Sequence, residues 1–208
     1  MNKATAIEKK SCRLKSIGTV NGLTKISILS VFAYVIMFIE IPIFFLPGFL
    51  KIDFSDLPAL IGGLALGPAA GIMIEFIKNL LHFITKTTTG GVGEFANFLV
   101  GIALIIPASI SYQKYRTKKG AMAGIIVGVI TMSVVGALAN YYMLLPFYAK
   151  VMPLEQIISL SAAANDAIVD IKTLVLYGVV PFNLIKGIMV AILTGFLYKK
   201  LSPILKTR

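Results

Sequence analysis

The sequence is poor in the residues that do most enzymatic chemistry. It has one cysteine and one histidine in 208 residues. Cys12 alone cannot form an intramolecular disulfide or a cysteine metal cluster. His82 alone cannot supply an H-E-x-x-H zinc helix. A Ser–His dyad would have to use His82, and no Gly-x-Ser-x-Gly elbow offers the serine, which disfavours an intramembrane hydrolase. There is no G-x-x-x-x-G-K-[ST] loop, so the chain does not bind and hydrolyse ATP by that route. Gly90-Gly-Val-Gly93 lacks the lysine and a preceding strand, and reads as a turn. No paired acidic motif stands in the apolar runs for metal-assisted head-group chemistry. Charge is scarce too, at 14% of residues against about 25% in an ordinary soluble domain. An enzyme, a resident metal and a cofactor of its own are therefore not expected. Binding or transport remains.

What the sequence has is apolar length. It is 57% hydrophobic, with a mean hydropathy of +0.88, and several runs approach the ~20 residues that cross a bilayer as a helix. The expected fold is all-α and polytopic, with six membrane helices over 23–45, 57–66, 69–84, 95–112, 122–145 and 174–198. The second is too short to cross unaided and must extend into its flanks or lie obliquely. The apolar run after the basic start is long and lacks a small-residue cleavage site, so no cleavable signal is expected. The net charge of +11 gathers in three places: Lys3 to Lys25, the Lys114–Lys119 link, and Lys199 to Arg208. That spread suits the positive-inside rule, with both termini cytoplasmic, better than a nucleic-acid surface. The organisation expected is a basic tail over 1–22, one membrane domain over 23–200, and a short tail over 201–208.

Small residues repeat every four positions at Gly63, Gly67 and Gly71, at Gly120, Gly124 and Gly128, and at Gly187, Ala191 and Gly195. In lipid such stripes permit close helix approach, inside the bundle or against another membrane subunit. The loops assigned to the outer face are elaborate and the inner ones plain, which suggests capture of a small molecule from outside. One outer loop stands out. Phe49-Leu-Lys-Ile-Asp-Phe-Ser-Asp-Leu-Pro58 interrupts two apolar runs with three charges and is a candidate lid. Its acidic pair can touch ligand, or work within the loop by accepting backbone hydrogen bonds or meeting Lys51. The long 146–173 connection looks amphipathic near 154–164 and is a second candidate lid.

Polar residues inside the runs are costly and are candidates by default. Glu75, Lys78 and Asn79 share one face of the third run, where Glu75 and Lys78 can pair at i,i+3; His82 continues that face. Asn140 ends the fifth run before Tyr141 and Tyr142. Asn183 and Lys186 follow Pro181 in the sixth. Lys186 has no acid in its own run and needs a carboxylate from elsewhere, a carbonyl, water or a ligand.

These residues resemble a known family. The loop run, the Gly67-Pro68 turn, Ile77-Lys-Asn-Leu-Leu-His82, Gly91-Val-Gly-Glu-Phe-Ala-Asn97, Asn140-Tyr-Tyr with Pro146, and Pro181-Phe-Asn-Leu-Ile-Lys-Gly187 are similar to the riboflavin-specific substrate-binding (S) subunits of energy-coupling factor (ECF) transporters. The resemblance runs from about residue 23 to 200. It implies a six-helix vitamin-binding subunit in the bacterial cytoplasmic membrane, docked on a membrane coupling (T) subunit driven by two cytoplasmic ATPases. Docking in the family uses a small-residue stripe on the first helix; here the stripe reads Ser27, Ser30 and Ala33, broken by Val31.

The ligand chemistry fits. Riboflavin's flat ring wants apolar and aromatic walls, offered by Phe44, Phe45, Phe49, Tyr141 and Phe182. Its imide edge and hydroxyl chain want amides and a strong donor, offered by Asn140, Asn183 and Lys186. The first loop adds Leu46, Leu50 and Asp53. Two alternatives stay open: another flat vitamin or FMN on the same scaffold, and a self-sufficient ion-coupled permease with Glu75, Lys78 and His82 as a relay.

Overall fold

A computed structural model describes residues 18–42, 50–150 and 153–206. The first element among the described residues is α1 (Val20–Met37), whose N-cap Thr19 accepts the Gly22 N–H at 3.2 Å. The first apolar run does not stay helical to 45 as expected. Pro42 disfavours the helical conformation at Ile41 and lacks the N–H that the Phe38 carbonyl would need. The backbone extends instead into β1 (Ile41–Pro42), which pairs antiparallel with β2 (Lys51–Ile52), Ile41 opposite Ile52. This ribbon departs from the all-helical expectation; the other elements among the described residues are helical.

Helices α2 (Asp56–Leu66) and α3 (Pro68–Lys86) meet at Gly67. Its φ of +122° is a conformation that a β-carbon resists, and Pro68 then opens α3 at the position where a missing N–H costs nothing. Next come α4 (Val92–Tyr115) and α5 (Lys118–Ala139). A π turn (Asn140–Leu144) carries α5 into the one-turn α6 (Leu145–Tyr148). The amphipathic stretch folds as α7 (Leu154–Ala162), resting on the bundle end through Ile157 against Leu145, Ile168 and Leu174. Asp170 caps α8 (Ile171–Leu174); the Thr173 hydroxyl and amide hold its carboxyl below the usual range. A second π turn (Val175–Val179) leads into α9 (Val180–Lys206). Lys25 Nζ donates to the Leu205 carbonyl at 3.0 Å, tying the end of α9 to the start of α1.

Among the described residues, four segments are long and apolar enough to cross a membrane: Val20–Met37, Val92–Tyr115, Lys118–Tyr148 and Ile171–Tyr198. Helix α3 has 19 residues, but Glu75 and Lys78 interrupt its apolar character. Helix α2 has 11.

Two of the glycine stripes pack inside the bundle. Gly63 and Gly71 approach each other and Ile105 on α4, and Gly124 and Gly128 lie against Ala108 and Leu104 of the same helix. Leu60, Ile74, Leu104, Ile105, Met132 and Val190 form the shared core around them.

The small residues of α1 need a correction. Ser30 and Ala33 are 0% exposed and face the bundle interior, with Ser30 Oγ bonded to the Ile26 carbonyl at 2.8 Å. They are not an outer surface. Ser27 is on the outside, beside Ile28, Val31 and Phe32. Lipid rewards an apolar outer face as readily as a small one, so residue size did not reveal which side of this helix is buried.

Candidate ligand-binding site

Two prolines shape the site. Pro146 and Pro181 each lack an N–H and crowd the carbonyl four residues back, at Tyr142 and Tyr177. In both helices the preceding turn widens, so that Leu145 N–H bonds Asn140 O and Val180 N–H bonds Val175 O. Such single π turns recur at functional sites. Here they stand opposite each other and bracket the two asparagines. Asn140 begins the first π turn. Asn183 follows the second, its Nδ2 donating to Val179 O at 2.9 Å. Asn140 Nδ2 donates to Gly136 O, also at 2.9 Å. Each amide thus anchors one N–H on its own helix, and its carbonyl and second N–H make no bond to a described residue.

Both amides open on a cavity of about 420 Å³, within the usual range of about 300–1,000 Å³ for small-molecule sites. Leu50, Asp53, Phe182 and Lys186 line it with them. Strand β2 roofs one side: Leu50 and Ile52 drop onto Val179 and Phe182 and form a separate apolar cluster. The opposite wall comes from α4 and its entry, through Thr88, Gly93, Ala96, Asn97 and Val100. Glu40 and Lys51 stand at the rim as an ion pair at 2.7 Å.

Lys186 is not an isolated cation. Its Nζ lies 2.9 Å from Asp53 Oδ2 and 3.0 Å from Asp56 Oδ2. The other oxygen of Asp56 lies 2.7 Å from Lys78, which also meets Glu75 at 2.8 Å and Ser55 Oγ at 3.0 Å. Asp53 in turn accepts from the Ser55 amide at 2.9 Å and from its hydroxyl. A closed ionic cluster therefore joins the first loop, α2, α3 and α9 beside the cavity. Paired in this way, buried charges avoid the penalty of a lone one. Burial is the largest influence and raises the Asp53 carboxyl, but the Lys186 and Lys78 ammonium groups and the Ser55 hydrogen bond together outweigh it and hold the group below the ordinary range.

The structure brings together Leu50, Asp53, Asn140, Phe182, Asn183 and Lys186 from the expected set. Phe45, Leu46 and Phe49, with Phe44, lie outside the described residues. Tyr141 is a correction: it points outward from the π turn, packed edge-on to Tyr142, because its predecessor Asn140 takes the inward direction. Tyr148 lines the cavity instead. Lys51 does not meet the loop's acids but Glu40, which sequence reasoning had placed inside the first helix. Asp53 works partly within the loop, through Ser55. Glu75 and Lys78 do pair with each other, while His82 turns away to Glu94, Nδ1 to Oε1 at 2.9 Å. The three relay candidates thus fall into two separate pairings. Asn97 was legible as part of a motif but not as a site residue; a polar side chain within an apolar run was its signal.

The chain matches, over residues 21–198, the family described as ECF transporter, substrate-specific component. It is 39% identical over 184 residues to the riboflavin transporter RibU of Staphylococcus aureus, covering 88% of this chain and 92% of the relative. It is 37% identical over 186 residues to the riboflavin transporter FmnP of Bacillus subtilis, covering 88% and 93%. A solved S component of a bacterial ECF transporter has a TM-score of 0.70 and 36% identity, covering 89% of this chain and 97% of that one. The family match over nearly the whole chain, with these relatives and the solved structure behind it, places this chain among the substrate-specific components of ECF transporters.

Proposed function

We propose that this chain captures riboflavin from the extracellular side and delivers it as the S component of an ECF vitamin transporter. The observation that carries the reading is the convergence of Asn140, Asn183 and Lys186 on one cavity with Phe182 and Leu50. The apolar side takes the flat ring. The carbonyl and second N–H of each carboxamide supply donors and acceptors for an imide edge and hydroxyls. Lys186 donates to the ligand with the capacity that Asp53 and Asp56 leave over. The relatives named as riboflavin transporters support the same ligand.

On this reading α2 and α3 complete six membrane helices, with both termini cytoplasmic in the bacterial cell membrane. The loop carrying β2 and Asp53 closes over the bound vitamin. Translocation depends on a T subunit and two ATPases, since the chain has no phosphate loop of its own. The T subunit meets the outward face of α1 around Ser27.

The test is direct. Protein purified in detergent retains flavin absorbance through washing, and titration ranks riboflavin against FMN and other flat vitamins. Failure of every flavin to bind overturns the reading. Net uptake by the reconstituted chain alone, down an ion gradient, would establish the permease instead.

A further inference from the structure

Gly136 stands between the two asparagines. It lies one turn before Asn140 on α5 and faces Asn183 across the helix interface. Its carbonyl accepts the Asn140 amide at 2.9 Å. Its missing side chain is equally specific: a β-carbon here would sit 2.6 Å from Asn183 Nδ2, 2.8 Å from Cγ and 2.9 Å from Oδ1. A real β-carbon would force the amide to move. The amide cannot move without straining its bond to Val179 O, so any displacement falls on the recognition group itself. Gly128, two turns earlier, differs. There a β-carbon would strike the Leu104 backbone carbonyl at 2.5 Å, and the cost is to helix packing.

We infer that Gly136 is a positioning residue for ligand recognition, setting the spacing of two carboxamides that read one polar edge. Its Cα gives Asn183 a seat, and its carbonyl holds Asn140. This inference rests on the proposed flavin site. It assigns to that site a preference for a planar ligand whose edge alternates donors and acceptors, since Gly136 bonds one amide and packs against the other, so that the two cannot adjust independently.

The test is a double-mutant cycle in the full-length protein, read by riboflavin titration and by thermal unfolding without ligand. Asn183→Ala and Gly136→Ala should each weaken binding about 5–150-fold, the loss of one buried hydrogen-bond partner. Combined, they should bind within about twofold of Asn183→Ala alone, because the clash disappears with the amide. Gly128→Ala should lower the unfolding temperature and show no such coupling to Asn183→Ala. Wild-type affinity in Gly136→Ala, or additive losses, overturns the inference. If Gly136→Ala fails to fold, Asn183→Ala must restore folding; continued misfolding of the double variant also overturns it. Absence of flavin binding by the wild-type protein is a separate result. It rejects the proposed ligand, while the Gly136–Asn183 coupling is still read in the unfolding temperatures.

Discussion

Asp53→Asn tests whether the first loop is clasped to the ligand site. The pair it weakens joins residues 133 positions apart, Lys186 Nζ to Asp53 Oδ2 at 2.9 Å. Asparagine fits the space and can still accept from Ser55, so the loop's local turn survives. Lys186 keeps Asp56 at 3.0 Å, which spares the full cost of about 3–5 kcal/mol for stranding a buried charge. The loss is that of one hydrogen bond between charged groups, about 1.5–3 kcal/mol, or roughly 10–150-fold in riboflavin affinity. Titration of the purified variant measures it. Hydrogen exchange over 50–55, with and without riboflavin, shows whether the loop has come loose. The pH dependence supplies a second check. The Asp53 carboxyl is held below its ordinary value, so its contribution is fully present above the unfolded carboxylate pKa of about 3.9. It is lost only as pH falls through the lower folded value. Wild-type affinity should thus be flat in this group from pH 8 to 5. Wild-type affinity and loop protection in Asp53→Asn would refute the clasp.

Asn183→Ala should cost about 1–3 kcal/mol of binding with normal yield; unchanged titrations would remove Asn183 from the contacts. Lys186→Ala should be more severe and also lower the unfolding temperature, because it removes the ammonium from both Asp53 and Asp56 and leaves Lys78 as the one cation beside the buried carboxylates. Yield and stability equal to wild type would show that the ionic cluster does not hold the loop and α9 together. Ser27→Trp should leave riboflavin binding intact while blocking ATP-dependent uptake by the complete transporter. Ala33→Trp overpacks the interior instead and should reduce folding. Wild-type uptake by Ser27→Trp would move the docking face elsewhere.

Much of the site was legible because polar groups are conspicuous in apolar runs. Asn140, Asn183 and Lys186 announce themselves in this way, and the cavity collects all three. Their partners were not legible. Nothing in the sequence says that Lys186 meets Asp53 and Asp56 of a distant loop and helix start. Glu40 was hidden by the apolar run around it, until Pro42 turned that run into a strand. Tyr141 was misplaced because a π turn shifts the helical phase, and only the proline downstream hints at one. The inward face of α1 was obscure for a different reason. When solvent is lipid, hydrophobicity no longer distinguishes inside from outside, so Ser30 and Ala33 carry no directional mark. The turn at Gly67-Pro68, by contrast, needs only local backbone rules and was readable to the residue.

The ionic cluster also bears on how the protein is made. Asp56 meets Lys78 only 22 residues later, so on the proposed topology α2 and α3 can leave the translocon with that ion pair already formed. Asp53 must wait for Lys186, 133 residues further on. At a synthesis rate of about 5–20 residues per second, that delay is roughly 7–27 s. During that interval the loop has no counterion on α9, and Phe182, Asn183 and Lys186 are still missing from the cavity wall. On the proposed topology the recognition site is thus completed only when α9 enters the bilayer.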